Sequence, residues 1–128
     1  MTVLVDSDVL IEVARGRDGR TLDLWLRTIE RDDVLLACSP VTVAELWRGV
    51  RPAERETLRE LFNALVCLPI DRETGRTAGD ILRQFAASHA VEIADALIGA
   101  SALVHEAALW TRNRKHYPAK GIRFLTSA

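Results

Sequence analysis

Four short, nearly unbroken apolar runs punctuate this chain: "TVLV" at 2–5, "VLLAC" at 34–38, "VCLPI" at 66–70 and "ALWT" at 108–111. Strands that lose the usual polar–apolar alternation are covered on both faces, which is the condition of a parallel sheet between helices. The stretches between the runs carry apolar residues at helical spacing, so each strand is reached through a helical crossover. The prediction is an α/β fold, a three-layer α/β/α sandwich around a parallel sheet of four to five strands, with "IRFL" at 122–125 as a weak fifth. At 128 residues the chain reads as one domain, residues 1–128.

Helix punctuation agrees with this alternation. "DVLIEVARG" is stopped near Gly16, and "TLDLWLRTIE" places Leu22, Trp25, Leu26 and Ile29 on one face. Ser39 before Pro40 is a helix start, because the hydroxyl accepts an orphan N–H and proline at the first position has none to lose. Pro52 opens a helix running through Leu58, Leu61, Phe62 and Leu65, and Asp71 caps one from Arg72 to about Ser88. In "EIADALIGASALVHEA", Ile93, Leu97, Ala100 and Val104 are expected inward. Trp25 and Trp47 are assigned to helix faces that pack on the core.

A formal charge of −1 excludes polyanion binding by net attraction, so a nucleic acid must be held by a local patch. Arg112, Arg114, Lys115 and His116 in "TRNRKHYP" form one and are the candidate phosphate contacts. Cys38 and Cys67 sit far apart in apolar runs without zinc-ligand spacing, and are expected to be buried free thiols. No apolar run approaches about 18 residues, so neither a signal peptide nor a membrane span is expected, and the location is expected to be cytoplasmic.

Ligands of open α/β sheets gather beyond the carboxyl ends of the strands. Asp6 ends the first strand, Glu45 lies in the second turn of the helix leaving the second, and Asp95 opens the helix returning to the fourth. Thr111 and Asn113 follow the fourth strand, bringing a hydroxyl and an amide oxygen to the same edge. Each acid also has a plain explanation: Asp6 or Asp8 as a helix cap, Glu45 paired with Arg48, and Asp95 or Glu92 at a helix start. Carboxylates crowded at one rim repel one another unless a cation sits among them. Mg²⁺ suits a few acids from separate elements, and phosphodiester hydrolysis is the chemistry such a centre serves.

The phrases "VDSDVLIEV", "SPVTVAELWRGV", "EIADALIGASAL" and "LWTRNRKHYP", in this order across almost the whole chain, resemble the PIN-domain ribonucleases, most closely the VapC-type toxins of bacterial toxin–antitoxin pairs. The resemblance implies a Mg²⁺- or Mn²⁺-dependent endoribonuclease that leaves 5′-phosphate and 3′-hydroxyl ends. It also implies inhibition by a small cognate antitoxin, homodimerisation and a larger toxin–antitoxin assembly. By position it makes Asp6, Glu45 and Asp95 the acidic metal site, with Asp6 central. Asn113 stands where many PIN domains carry a fourth Asp, and supplies a neutral oxygen instead. Ser7 and Thr111 are assigned to holding the carboxylates or a water, and Asp8 to capping rather than ligation. Two other readings stand beside this one: an aspartyl-phosphate phosphatase or receiver-like protein, suggested by "DSDVL", and a non-catalytic PIN module that binds RNA or a partner.

Overall fold

The computed structural model describes residues 1–125, and strand and helix alternate from its start. Strand β1 (Thr2–Val5) leads into helices α1 (Ser7–Arg15) and α2 (Gly19–Ile29), then β2 (Leu35–Cys38) into α3 (Pro40–Gly49). A 3₁₀ turn at Pro52–Glu54 precedes α4 (Arg55–Asn63), β3 (Val66–Cys67), α5 (Arg72–His89), α6 (Ile93–Val104) and β4 (Ala108–Trp110), and a last 3₁₀ turn covers Arg114–His116. All pairings are parallel, in the order β3-β2-β1-β4. The chain thus builds outward from β1 on one side, then returns to its other side with β4. The gap beyond the ends of β1 and β4 is the topological switch point, where such sheets place their ligands.

Period-two alternation along β1 divides the core between the two faces. Val3 and Val5 pack with Val9, Leu10 and Trp25 from α1 and α2, while Leu4 packs with Ile98 and Ala102 of α6 and with Leu109. Helix α5 lies outside α6, joined to it through Ala78, Ile81, Ala96 and Ala100. Full burial of each aliphatic side chain on β1 contributes about 1.5–3 kcal/mol. Among the described residues no helix is long and apolar enough to cross a membrane.

The caps follow the sequence signals. Ser39 Oγ accepts the Val41 N–H at 3.1 Å, and Asp71 accepts that of Thr74 at 3.0 Å. Gly16 ends α1 at φ 66°, a left-handed conformation that glycine adopts without Cβ strain, and its N–H closes on Glu12 O at 2.8 Å.

Several expectations are corrected. Leu26 and Ile29 are about half exposed, and α2 instead buries Thr21, Trp25 and Thr28. Thr28 suits that face because its hydroxyl donates to Leu24 O at 2.6 Å and leaves no polar group unpaired. Ile93 is 67% exposed, because α6 is covered by the sheet on one side and α5 on the other only after its first turn. Trp47 is exposed rather than core, lying beneath Arg55 and Arg59 at 6.0 and 5.5 Å from its ring. Cys67 is exposed, since β3 is a two-residue edge strand, whereas Cys38 is buried as expected. Pro52 starts the 3₁₀ turn, and Leu65 lies beyond the end of α4. The weak fifth strand is reduced to a single parallel bridge between Leu109 and Phe124.

Candidate active site

Asp6 sits where β1 becomes α1. Its backbone N–H donates to Trp110 O at 2.9 Å, extending the β1–β4 ladder to the rim. Its side chain is the N-cap of α1 and is 7% exposed. Oδ1 accepts the Ser7 N–H at 2.8 Å and faces the Ser7 hydroxyl at 3.4 Å. Oδ2 accepts the Thr111 hydroxyl at 3.0 Å and the Tyr117 hydroxyl at 2.7 Å. A carboxylate this buried is stable only with its lone pairs engaged, and the donors here come from both ends of the chain.

Tyr117 is the residue that sequence reasoning misses. In "HYP" it reads as part of a turn, and only the fold brings it beneath Asp6. Burial, and then the Asp6 charge, drive its phenol far above the ordinary range, so it serves as a fixed donor. Gly99 lies against the ring: a Cβ there would stand 3.5 Å from it, in ordinary contact, and more tightly at 3.3 Å from Ile122.

Asp8 does not cap α1. Its carboxylate takes the Arg112 N–H at 3.2 Å and lies 3.5 Å from the Thr111 hydroxyl, tying α1 to the loop after β4. Burial, then Asp6, raises its pKa. The Arg112 guanidinium is engaged by Glu12 at 3.2 Å and Asp18 at 3.3 Å, which makes it a brace between α1, α2 and the rim rather than a free phosphate contact. Arg114 lies over the Phe124 ring at 4.9 Å, and Lys115 is exposed.

Glu45 and Asp95 face the same rim. Burial raises the pKa of Glu45 first, and repulsion from Asp6 and Asp95 raises it further. Asp95 is also raised, by burial, with His116 opposing and Asp6 adding to the rise. The His116 Nδ1 stands 3.9 Å from Asp95, and its Nε2 is 3.1 Å from the Asn113 amide nitrogen, so this imidazole links the two predicted site residues. The Asn113 N–H donates to Thr111 Oγ1 at 3.1 Å. Beside Glu45 opens a groove of about 630 Å³ whose lining includes Leu10, Ile11, Arg15, Arg17 and Arg51. These arginines carried no recognisable motif in the sequence.

Among the described residues no three His, Cys, Asp or Glu side chains are close enough to enclose an ion unaided. Beyond burial, the Asp6 charge nonetheless raises the pKa of Glu45 and of Asp95, and Asp95 adds to the rise at Glu45, which is the electrostatic setting a cation relieves. These hard oxygen donors fit an ion such as Mg²⁺, which takes one or two carboxylates and keeps several of its own waters.

Burial of Asp95, with repulsion from Asp6 added, has a measurable cost. An acid whose folded pKa is raised opposes folding when ionised, fully above the folded value and not at all below the unfolded one, about 3.8 for Asp. In metal-free buffer at pH 7, Asp95→Asn is therefore expected to melt a few degrees above the unaltered protein, with the gain vanishing as pH falls below about 4. Thermal melts across that range, with equal melting temperatures at pH 7 as the contrary result, test it.

Comparison with known proteins accords with this geometry. The PIN domain family matches residues 3–121. Ribonuclease VapC10 of Mycobacterium tuberculosis is 39% identical over 121 residues, covering 91% of this chain and 86% of that protein. Ribonuclease VapC19 of the same organism is 29% identical over 116 residues, covering 90% and 91%. A chain from the crystal structure of VapBC2 of Rickettsia felis, bound to a DNA fragment from their promoter, superposes with a TM-score of 0.81 over 98% of both chains. At 16% identity, that likeness speaks for the fold. Sheet order, rim acids and sequence identity converge, and the chain belongs to the PIN domain family, among the VapC ribonucleases.

Proposed function

We propose that this chain is the toxin of a type II toxin–antitoxin pair, a divalent-metal-dependent endoribonuclease that cuts RNA phosphodiester bonds in the cytoplasm and is held inactive by a small antitoxin. The observation that carries the reading is Asp6: a buried carboxylate fixed by Ser7, Thr111 and Tyr117 at the switch point of the sheet, with Glu45 and Asp95 facing it. Asp6, Glu45 and Asp95 would hold Mg²⁺ or Mn²⁺, which supplies Lewis-acid polarisation of the scissile phosphate and offsets charge on the leaving oxygen. Glu45, facing Asp6 and Asp95 from α3, stands at the rim where the attacking water would approach. Asn113 orients that water, with its own amide steadied by His116. Arg114 and Lys115 beyond β4, and Arg15, Arg17 and Arg51 along the groove, supply the local positive charge that a chain of net charge −1 needs to hold RNA.

The antitoxin is supported by the neighbouring structure, a VapBC complex in which a chain of this fold is found. Aspartyl-phosphate chemistry wants a free carboxylate oxygen beside a lysine, whereas both Asp6 oxygens are engaged by Ser7, Thr111 and Tyr117.

Inducible expression in a bacterium, with mapping of new RNA 5′ ends, tests the reading against the Asp95→Asn variant. The expected result is growth arrest and defined new ends with the unaltered chain only, relieved by the cognate antitoxin. With purified protein, cleavage should need Mg²⁺ or Mn²⁺, stop with EDTA and fall at least about 100-fold in the variant. Equal inertness of both proteins on many RNAs would favour the binding module.

A further inference from the structure

We propose that Cys38 and Cys67 form a redox modification site, a cross-strand thiol pair that a hydroperoxide converts to an intramolecular disulfide. The two residues are direct partners in the parallel pairing of β2 with β3, and the Leu68 N–H to Cys38 O bond of 2.9 Å holds that register just beyond them. Adjacent strands run about 4.8 Å apart, inside the roughly 4.4–6.8 Å Cα window of a disulfide. Directly paired residues point to the same face of a sheet, so the sulfurs are neighbours. The pKa of Cys38 accords with this: burial pushes it up to about 12, and the neighbouring Cys67 adds to the shift.

The pair is also asymmetric in a useful way. Cys67, on the exposed edge strand, meets the oxidant, while Cys38 is 1% exposed and shielded from it. The Cys67 sulfur attacks the hydroperoxide, forming an S–O bond, breaking the O–O bond and releasing an alcohol or water. The Cys38 sulfur then attacks the Cys67 sulfur, the S–O bond breaks, and hydroxide leaves with the Cys38 proton as water. Two thiols are oxidised and one peroxide is reduced, and a thiol reductant reverses the change. The strap would close a loop containing α3 and α4, immediately beside the Ser39 cap of the helix that bears Glu45. In a reducing cytoplasm such a bond is transient, the usual character of cytosolic disulfides.

The full chain treated with hydrogen peroxide, then denatured and alkylated with N-ethylmaleimide, decides the matter by intact mass and peptide mapping. The expected product is about 2 Da lighter, carries no maleimide, yields a linked Cys38–Cys67 peptide and returns to two free thiols with dithiothreitol. It also melts several degrees higher than the reduced protein, because the cross-link restricts the unfolded chain. Cys67→Ser, at an exposed position that leaves packing intact, should keep one maleimide-reactive thiol and show no thermal gain. The proposal is overturned if Cys67 proceeds to sulfinic acid or cross-links to a second chain while Cys38 still takes maleimide. It is equally overturned if both thiols survive peroxide that oxidises free glutathione.

Discussion

Asp6→Asn leaves a folded protein whose metal-dependent RNA cleavage falls by at least about 100-fold. Asparagine is as good an N-cap as aspartate, so α1 keeps its start, and thermal unfolding should stay close to that of the unaltered chain. The charge is lost, however, and an amide NH₂ in the place of Oδ2 would point a donor at the Thr111 and Tyr117 hydroxyls, 3.0 and 2.7 Å away. Tyr117→Phe removes one of those donors while keeping the ring under Gly99, and should fall between the two, losing about ten-fold in rate and in Mn²⁺ affinity. Cleavage rates and Mn²⁺ titration on the three proteins give the order; an Asp6→Asn protein at full activity would refute the placement of the metal.

Leu4→Ala is expected to destabilise the fold by about 2–5 kcal/mol. Leu4 is fully buried at the centre of the sheet, against Ile98 and Leu109, and pairs across the ladder with both flanking strands. A loss of this size takes a large share of the roughly 5–15 kcal/mol that holds a domain folded. Urea titration should show a lowered midpoint with an unchanged slope. Ile93→Ala removes a side chain that is 67% exposed and should change the stability by no more than about 0.5 kcal/mol. Comparable losses in the two variants would contradict the core described above.

The contrast between these two residues shows what a sequence reveals. Strands and caps are legible because their signals are local: unbroken apolar runs, Ser39 before Pro40, and Asp71 before its helix. The acids at the sheet's carboxyl edge are legible because parallel topology sends every strand end to one rim. Helix faces are less so. Leu26, Ile29 and Ile93 obey the helical period, yet which apolar residues meet a neighbour depends on how far each covering element extends. The hydrogen bonds around Asp6 are the least legible part, since Tyr117 is 111 residues away and carries no motif. The partners of Arg112 are hidden for a similar reason: an arginine in a basic cluster looks free until the fold sets Glu12 and Asp18 beside it.

That long separation along the chain bears on when the rim can assemble during synthesis. Thr111 and Tyr117, which hold the Asp6 carboxylate in place, leave the ribosome 105 and 111 residues after it. A nascent polypeptide not yet extended through Tyr117 therefore lacks the donors that fix the Asp6 carboxylate, and its rim is not assembled.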